Sequence, residues 1–187
     1  MIETVVQARA WLAEHQLWAG LCTYDDGVKA WLAKSGHYLD NPPPGALFAI
    51  AVRPMIHGLF GLVPSDTKLV GLGIVGRPIA RKRKQDGSWG ELTRFVLVPG
   101  LPKGTASRVL RVVIHTFFER PGATDLISFH DRTRHTGCIY KKAGFKKDGA
   151  VTSPANGWAS RPGREKSAAA AAPKKRRWRI TRDEYAG

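Results

Sequence analysis

The feature that most constrains this chain is a strand–helix–strand succession between residues 91 and 131. "ELTRFVLV" is an apolar run of strand length. "TASRVLRVVIHTFFER" then sets Val109, Val112, Val113 and Phe117 on one helical face, with Arg108 and Arg111 off it. "TDLISFHD" returns as a second strand. A strand joined to the next through a helix requires a right-handed crossover and a parallel pair. An open sheet of this kind places its ligand site outside the carboxyl ends of those strands. Residues 99–105 and 129–135 should therefore flank one crevice.

The rest of the chain fits a mixed sheet flanked by helices, an α/β (α+β) class. "TVVQARAWLAEHQLW" places Val5, Ala8, Trp11 and Leu12 at helical spacing, and "DDGVKAWLAKSGHY" gives a shorter helix with Val28, Trp31 and Leu32 on one face and Gly36 as its stop. "ALFAIAV" and "LVGLGIVG" read as neighbouring antiparallel strands, with "RPMIHGLFGLVPSDTK" a loop between them. "TGCIYKKAG" is a short helix ended by Gly144, and "FKKDGAV" begins another strand. Residues 1–152 form the expected domain, 153–173 a low-complexity insertion, and 174–187 a basic segment. That last segment, "KKRRWRIT", has two readings of equal weight: an edge strand beside "FKKDGAV", or a disordered basic tail.

Charge is distributed unevenly. Residues 1–75 hold 5 Lys/Arg and 6 Asp/Glu, leaving 25 basic and 9 acidic residues, net +16, for residues 76–187. Such asymmetry points to a polyanionic partner, and nucleic acid is the commonest one for a soluble intracellular protein. The basic groups are Arg81, Lys82, Arg83 and Lys84; Arg132 and Arg134; Lys141 and Lys142; Arg161 and Arg164; and Lys174, Lys175, Arg176, Arg177 and Arg179. Trp158 or Trp178 could wedge or stack on a displaced base, although tryptophans beside arginines are more often structural. No run approaches the roughly 18 apolar residues of a membrane span, and the N-terminus lacks a signal-peptide pattern. A soluble, cytoplasmic protein with no membrane partner is expected. Cys22 and Cys138 lack metal-ligand spacing and read as reduced thiols.

The first turn of the helix after "PGLPKGTAS" offers free backbone N–H groups to an anion. The window "LPKGTA" is similar to the pyrophosphate loop of GNAT acetyltransferases at Gly104 and Ala106, with Leu101 in place of a basic residue; Lys103, Gly104, Thr105 and Ala106 are thus the candidate coenzyme A residues. "IYKKAGF" resembles the Tyr-x-x-x-Gly-Phe signature near the end of that domain. Four blocks taken together, "SGHYL", "WGELTRFVLVPGLPKGTASRVL", "SFHDRTRHTGCIYKKAGF" and the Trp-x-x-Arg-x-Gly-Arg of residues 158–164, resemble the phage Mom family of DNA-modification proteins, a divergent GNAT branch, over roughly residues 28–180.

The resemblance implies a GNAT-like transferase that installs a methylcarbamoyl group on the N6 amine of adenine in double-stranded DNA, protecting bacteriophage DNA from host restriction. It also implies iron. His37, Tyr38, Asp131 and Tyr140 match positions proposed to bind the metal and act catalytically, and Arg94 and Ser107 match two others needed for function. Taken by themselves, imidazole, carboxylate and phenolate make a mixed N,O ligand set suited to iron but looser than a two-His, one-carboxylate triad, and an aspartate after a strand, as Asp131 is, is more often only the N-cap of a helix, here over "RTRHTG". Arg94 sits on an otherwise apolar strand and must meet a carboxylate, solvent or ligand; Glu91, three residues away, should face the opposite side of a regular strand. Two alternatives remain: an acetyl-CoA-dependent N-acetyltransferase acting on protein, RNA or a small amine, and a non-catalytic basic DNA-binding protein. The oligomeric state is open, a homodimer included.

Overall fold

The structure, a computed structural model, describes residues 3–36, 43, 46–79, 83–151 and 175–186. The elements run α1 (Val5–Glu14), β1 (Leu17–Cys22), α2 (Asp26–Lys34), β2 (Phe48–Gly58), β3 (Gly61–Pro64), β4 (Gly71–Gly76), β5 (Trp89–Leu97), α3 (Thr105–Phe118), β6 (Asp125–Asp131), α4 (Cys138–Lys142), β7 (Lys146–Val151), β8 (Lys175–Thr181) and α5 (Arg182–Ala186). The main sheet has the order β1-β2-β4-β5-β6-β8-β7, and β3 pairs with β2. Only the β5–β6 pair is parallel among the described strands, as the crossover through α3 demands.

Both N-terminal helices begin with side-chain caps. Thr4 and Gln7 form a capping box, Gln7 N to Thr4 Oγ1 at 3.2 Å and Thr4 N to Gln7 Oε1 at 2.8 Å. Asp25 accepts from Val28 N at 2.9 Å at the start of α2. One core lies on the α3 side, where Val109, Leu110, Val113 and Phe117 meet Ile50, Leu92, Leu126 and Ile180. A smaller one lies under α2, where Val28 and Leu32 cover Leu72, Ile74 and Val96. The sheet is thus sandwiched along part of its width, in the layered manner typical of mixed α/β domains.

Four sequence expectations need correction. "LWAGLC" is strand β1, entered through Gln16 at φ +54, and it pairs with β2 where no strand was expected. The expected loop over "RPMIHGLFGLVPSDTK" is largely a hairpin, with β2 running to Gly58 and returning as β3. Arg111 is buried rather than off the core face: Nη1 donates to the Ala143 carbonyl at 3.1 Å, and the Tyr185 ring lies 5.7 Å from the guanidinium carbon. The fourth concerns β8, which does return beside β7, as one of the two readings had it, but not as the sheet edge. It inserts between β6 and β7, with Trp178 and Ile180 directed into the core and β7 left as the edge. Burial of these two side chains against α3 and α4 outweighs the exposure that four neighbouring cations would favour, since each contributes about 1.5–3 kcal/mol or more of apolar transfer.

Candidate active site in the cleft between β5 and β6

β5 and β6 pair only over Trp89–Leu92 and Asp125–Ser128. Beyond that point the strands part. A bulge explains why: Val75 pairs with Leu92 but the adjacent Ile74 pairs with Arg94, leaving Thr93 as an extra residue that bends the strand. The Thr93 hydroxyl donates to the Ile74 carbonyl at 3.1 Å and pins the bulge. A small cavity of about 40 Å³ occupies the opening, lined by Thr93 and Phe95 from β5, Phe129 and His130 from β6, and His135 and Tyr140. Residues 129–135 flank this cavity as topology led one to expect, but its other wall comes from β5 itself and none of residues 99–105 lines it.

Tyr140 is 7% exposed and held in an aromatic cluster. Its ring stacks on Trp178 (5.5 Å, 16°) and on His130 (5.9 Å, 25°), and Phe145 meets it edge-on at 5.6 Å. The Ser128 and Tyr140 hydroxyls lie 3.2 Å apart. Ser128 and His130 are two apart on β6 and so share the face that meets Tyr140. Trp178 Nε1 donates to His130 Nδ1 at 2.6 Å. Burial, with the neighbouring His135, Arg176 and Arg132 adding to it, pushes the His130 pKa below the ordinary histidine value. The ring is held neutral. Neither Ser128 nor the His130–Trp178 pair was singled out from sequence, although period-two alternation would have placed Ser128 and His130 together. The burial of Trp178 also overturns its reading as a base wedge.

Other predicted residues lie on the opposite face. Ile74, Gly76, Glu91 and Arg94 share one side, because directly paired residues face the same way and the bulge inverts the alternation within β5. Glu91 and Arg94 are therefore on the same face, contrary to the regular-strand expectation. Glu91 is buried and accepts from Ile79 N at 2.9 Å; burial raises its pKa, against lowering by that hydrogen bond, Lys175 and Arg94. Arg94 donates to the Thr93 carbonyl at 2.8 Å and sits close enough to Tyr24 to offset part of the rise that burial imposes on that phenol.

Asp131 pairs in register with Lys175 on this same side. It caps a turn, not a helix, accepting from Thr133 N at 2.8 Å and Thr133 Oγ1 at 2.6 Å, and these two bonds hold its carboxyl below the usual range.

The sheet thus separates Asp131 from Tyr140. Among the described residues no group of three or more His, Cys, Asp or Glu could hold a metal ion, and His37 and Tyr38 lie outside the described residues. The two described donors, Asp131 and Tyr140, do not share the metal site that the resemblance implied, and no step is routed through iron.

The start of α3 suits an anion better. Gly104 has φ +105, and a Cβ there would stand 2.4 Å from Arg108 Nη1. The helix has no side-chain cap; Thr105 and Ser107 spend their hydroxyls on the Pro102 and Gly104 carbonyls, at 2.7 and 3.0 Å. The N–H groups of Ala106 and Ser107 remain available, and Lys103 is exposed beside them. Ser107 therefore belongs to this turn rather than to the Tyr140 cluster.

The basic residues divide into two sets. Arg132, Arg134, Lys141 and Lys142 are exposed on the turn after β6 and on α4, close in sequence to the cavity-lining His130, His135 and Tyr140, with Arg134 Nε 3.7 Å from Asp131. Lys84 is also exposed. By contrast Arg177 is bound to Asp148 at 2.7 Å, Arg179 to Asp125 at 2.6 Å, and Arg83 and Arg179 both lie 5.1 Å from the Trp89 ring. Lys175 and Arg176 are half-buried. Arg81, Lys82, Trp158, Arg161, Arg164 and Lys174 lie outside the described residues.

No protein-family model matches the chain, and no curated protein matches it significantly. Among solved structures it is similar to spermidine/spermine N-acetyltransferase SpeG from Vibrio cholerae, with 12% identity over 91% of this chain and 95% of that one and a TM-score of 0.60. A second structure from V. cholerae, spermidine N-acetyltransferase in complex with CoA and spermine, is 11% identical over 92% and 99% of the two chains, with a TM-score of 0.59. The aminoglycoside acetyltransferase AAC(6')-Ib in complex with coenzyme A and kanamycin is 15% identical over 91% and 97%, with a TM-score of 0.57. These likenesses establish the fold, a mixed α/β sheet of the GNAT acetyltransferase type.

Proposed function

We propose that the protein transfers an acyl group from a coenzyme A thioester to an amine, with the amine presented on a nucleic acid. The observation that carries this reading is the parting of β5 and β6 over the buried Tyr140 hydroxyl, in the fold of GNAT acetyltransferases. A coenzyme A thioester would supply an activated acyl carbon. The chain's own groups suit it: the available N–H groups of Ala106 and Ser107 for a pyrophosphate, and the parting of β5 from β6 for the pantetheine arm. Tyr140 holds a proton at Oη, where a leaving thiolate could take it, and the stacked rings exclude water around it. Arg132, Lys141 and Lys142 would hold phosphates.

A second reading narrows the acceptor to the N6 amine of adenine in duplex DNA, carrying a methylcarbamoyl group. It is supported by the four sequence blocks and by the exposed cations on the turn after β6 and on α4. The base would have to leave the duplex to reach the cleft.

Three measurements test the proposal. Calorimetric titration should detect coenzyme A binding, and Tyr140→Phe should lower turnover with an acyl-CoA about 100-fold while leaving the thermal melt near wild type. Nucleoside mass spectrometry of DNA from expressing cells then reads the acceptor. A heavier deoxyadenosine supports the narrower reading. Unmodified DNA together with acylation of a protein, RNA or polyamine retains the transferase and removes DNA as its substrate. No coenzyme A binding by folded protein overturns the transferase.

A further inference from the structure

We propose that His130 donates a hydrogen bond from Nε2 to the acyl carbonyl oxygen in the cleft, and that Trp178, from the C-terminal strand β8, is the positioning residue that fixes it in that form. The inference rests on the acyl-transfer reading above and adds two residues to its site.

An indole N–H only donates, so His130 Nδ1, 2.6 Å from Trp178 Nε1, must present a lone pair. A neutral imidazole with a lone pair on Nδ1 carries its hydrogen on Nε2. The doubly protonated ring would set two donors against each other in a site where His130 is only 4% exposed. Trp178 thereby selects one tautomer. Gly137, at φ +77, packs close against the His130 ring, where a Cβ would stand 2.8 Å from Cε1 and 3.2 Å from Nε2, so a larger residue there would push the imidazole from its place. His130 also lines the cavity with Tyr140, and the His130, Tyr140 and Trp178 rings lie within 6 Å of one another, at 5.9, 5.5 and 5.8 Å. A fixed neutral donor on a buried ring stabilises oxygen as it gains charge without having to reorient.

The experiment pairs a spectroscopic with a kinetic readout. Two-bond 15N–1H correlation spectra of the full chain should report the Nε2–H tautomer for His130, and Trp178→Phe, which keeps an aromatic ring against Tyr140 but has no N–H, should yield a tautomer mixture. With an acyl-CoA donor, His130→Ala should lower kcat about 100-fold with little change in the donor KM, on the scale of losing one oxyanion donor. His130→Gln, whose amide N–H reaches the Nε2 position, should recover much of that loss, and Trp178→Phe should fall about tenfold. An Nδ1–H tautomer in the wild type overturns the inference, as does a wild-type kcat in His130→Ala. If the wild type turns over no acyl-CoA, the underlying transferase reading falls, and His130's assigned role with it.

Discussion

Glu91 and Arg94 lie three residues apart on β5 yet face the same side of the sheet, because Thr93 is inserted between them as a bulge. The bulge ends the β5–β6 pairing and opens the cleft, so one extra residue both sorts side chains between faces and creates the site.

Glu91 should make stability fall with rising pH. Its folded pKa lies above the ordinary 4.5, so the folded state holds the proton more tightly than the unfolded chain. Stability is then greatest below the unfolded value and declines as pH rises through the folded one. Glu91→Gln retains an acceptor for Ile79 N but cannot ionise. Its melting temperature relative to wild type should climb as pH is raised from about 4.5 toward neutrality, measured by circular dichroism. Parallel curves for the two proteins would show that the carboxylate is not strained by burial.

Trp178 should be a stability determinant despite its basic neighbourhood. Trp178→Ala is expected to cost about 3–5 kcal/mol in urea denaturation, the range for deleting a large buried aromatic. Trp178→Phe should cost less, about 1–2 kcal/mol, for the lost hydrogen bond and trimmed volume. A change within about 0.5 kcal/mol for the alanine variant is what an exposed site would give.

Duplex binding should draw on the turn after β6 and on α4 more than on β8. Replacing Arg132, Lys141 and Lys142 with Gln should lower the log–log salt slope by about 0.9 for each phosphate no longer neutralised, read by fluorescence anisotropy. Arg177→Gln and Arg179→Gln should leave it nearly unchanged, because Asp148 and Asp125 already engage those guanidiniums. The reverse pattern would assign the DNA surface to β8.

Gly104→Ala should weaken coenzyme A binding and lower stability together. Any L-residue at φ +105 costs about 1–2 kcal/mol, and the added carbon must displace the Arg108 side chain that bridges to Glu3 at 3.0 Å. Titration calorimetry and denaturation on the same sample separate the two effects.

The central crossover was legible because α3 and its two strands carry their periods plainly: Val109, Val113 and Phe117 at helical spacing, and a cleft where β5 and β6 end. Strand β1 was not, since "LWAGLC" is six residues with an internal glycine and follows its helix almost at once. The place of β8 was also hidden. Its partners on β6 are about fifty residues away, Trp178 reaching His130 across 48 positions, and local pattern says nothing about which strand lies between which. Arg111 was misplaced because a helical wheel cannot know that α4 will supply a carbonyl. The bulge at Thr93 is a single residue in an unbroken strand pattern, and it inverted the inference drawn for Glu91. Among the predicted catalytic residues Tyr140 lines the cleft, Ser107 lies at the start of α3, and Asp131 and Arg94 lie across the sheet; His37 and Tyr38 are outside the described residues.

The position of β8 also sets an order of events at the ribosome. β7 is synthesised before β8, yet among the described strands it is β8 that joins it to the sheet, so both must wait while the edge of β6 stays open. At about 5–20 residues per second the nascent chain spends at least a second with that edge unpaired and the histidine without its indole. During that interval the growing polypeptide is open to pairing with another chain. Arrival of Trp178 closes that window and completes the aromatic wall of the cleft in the same step.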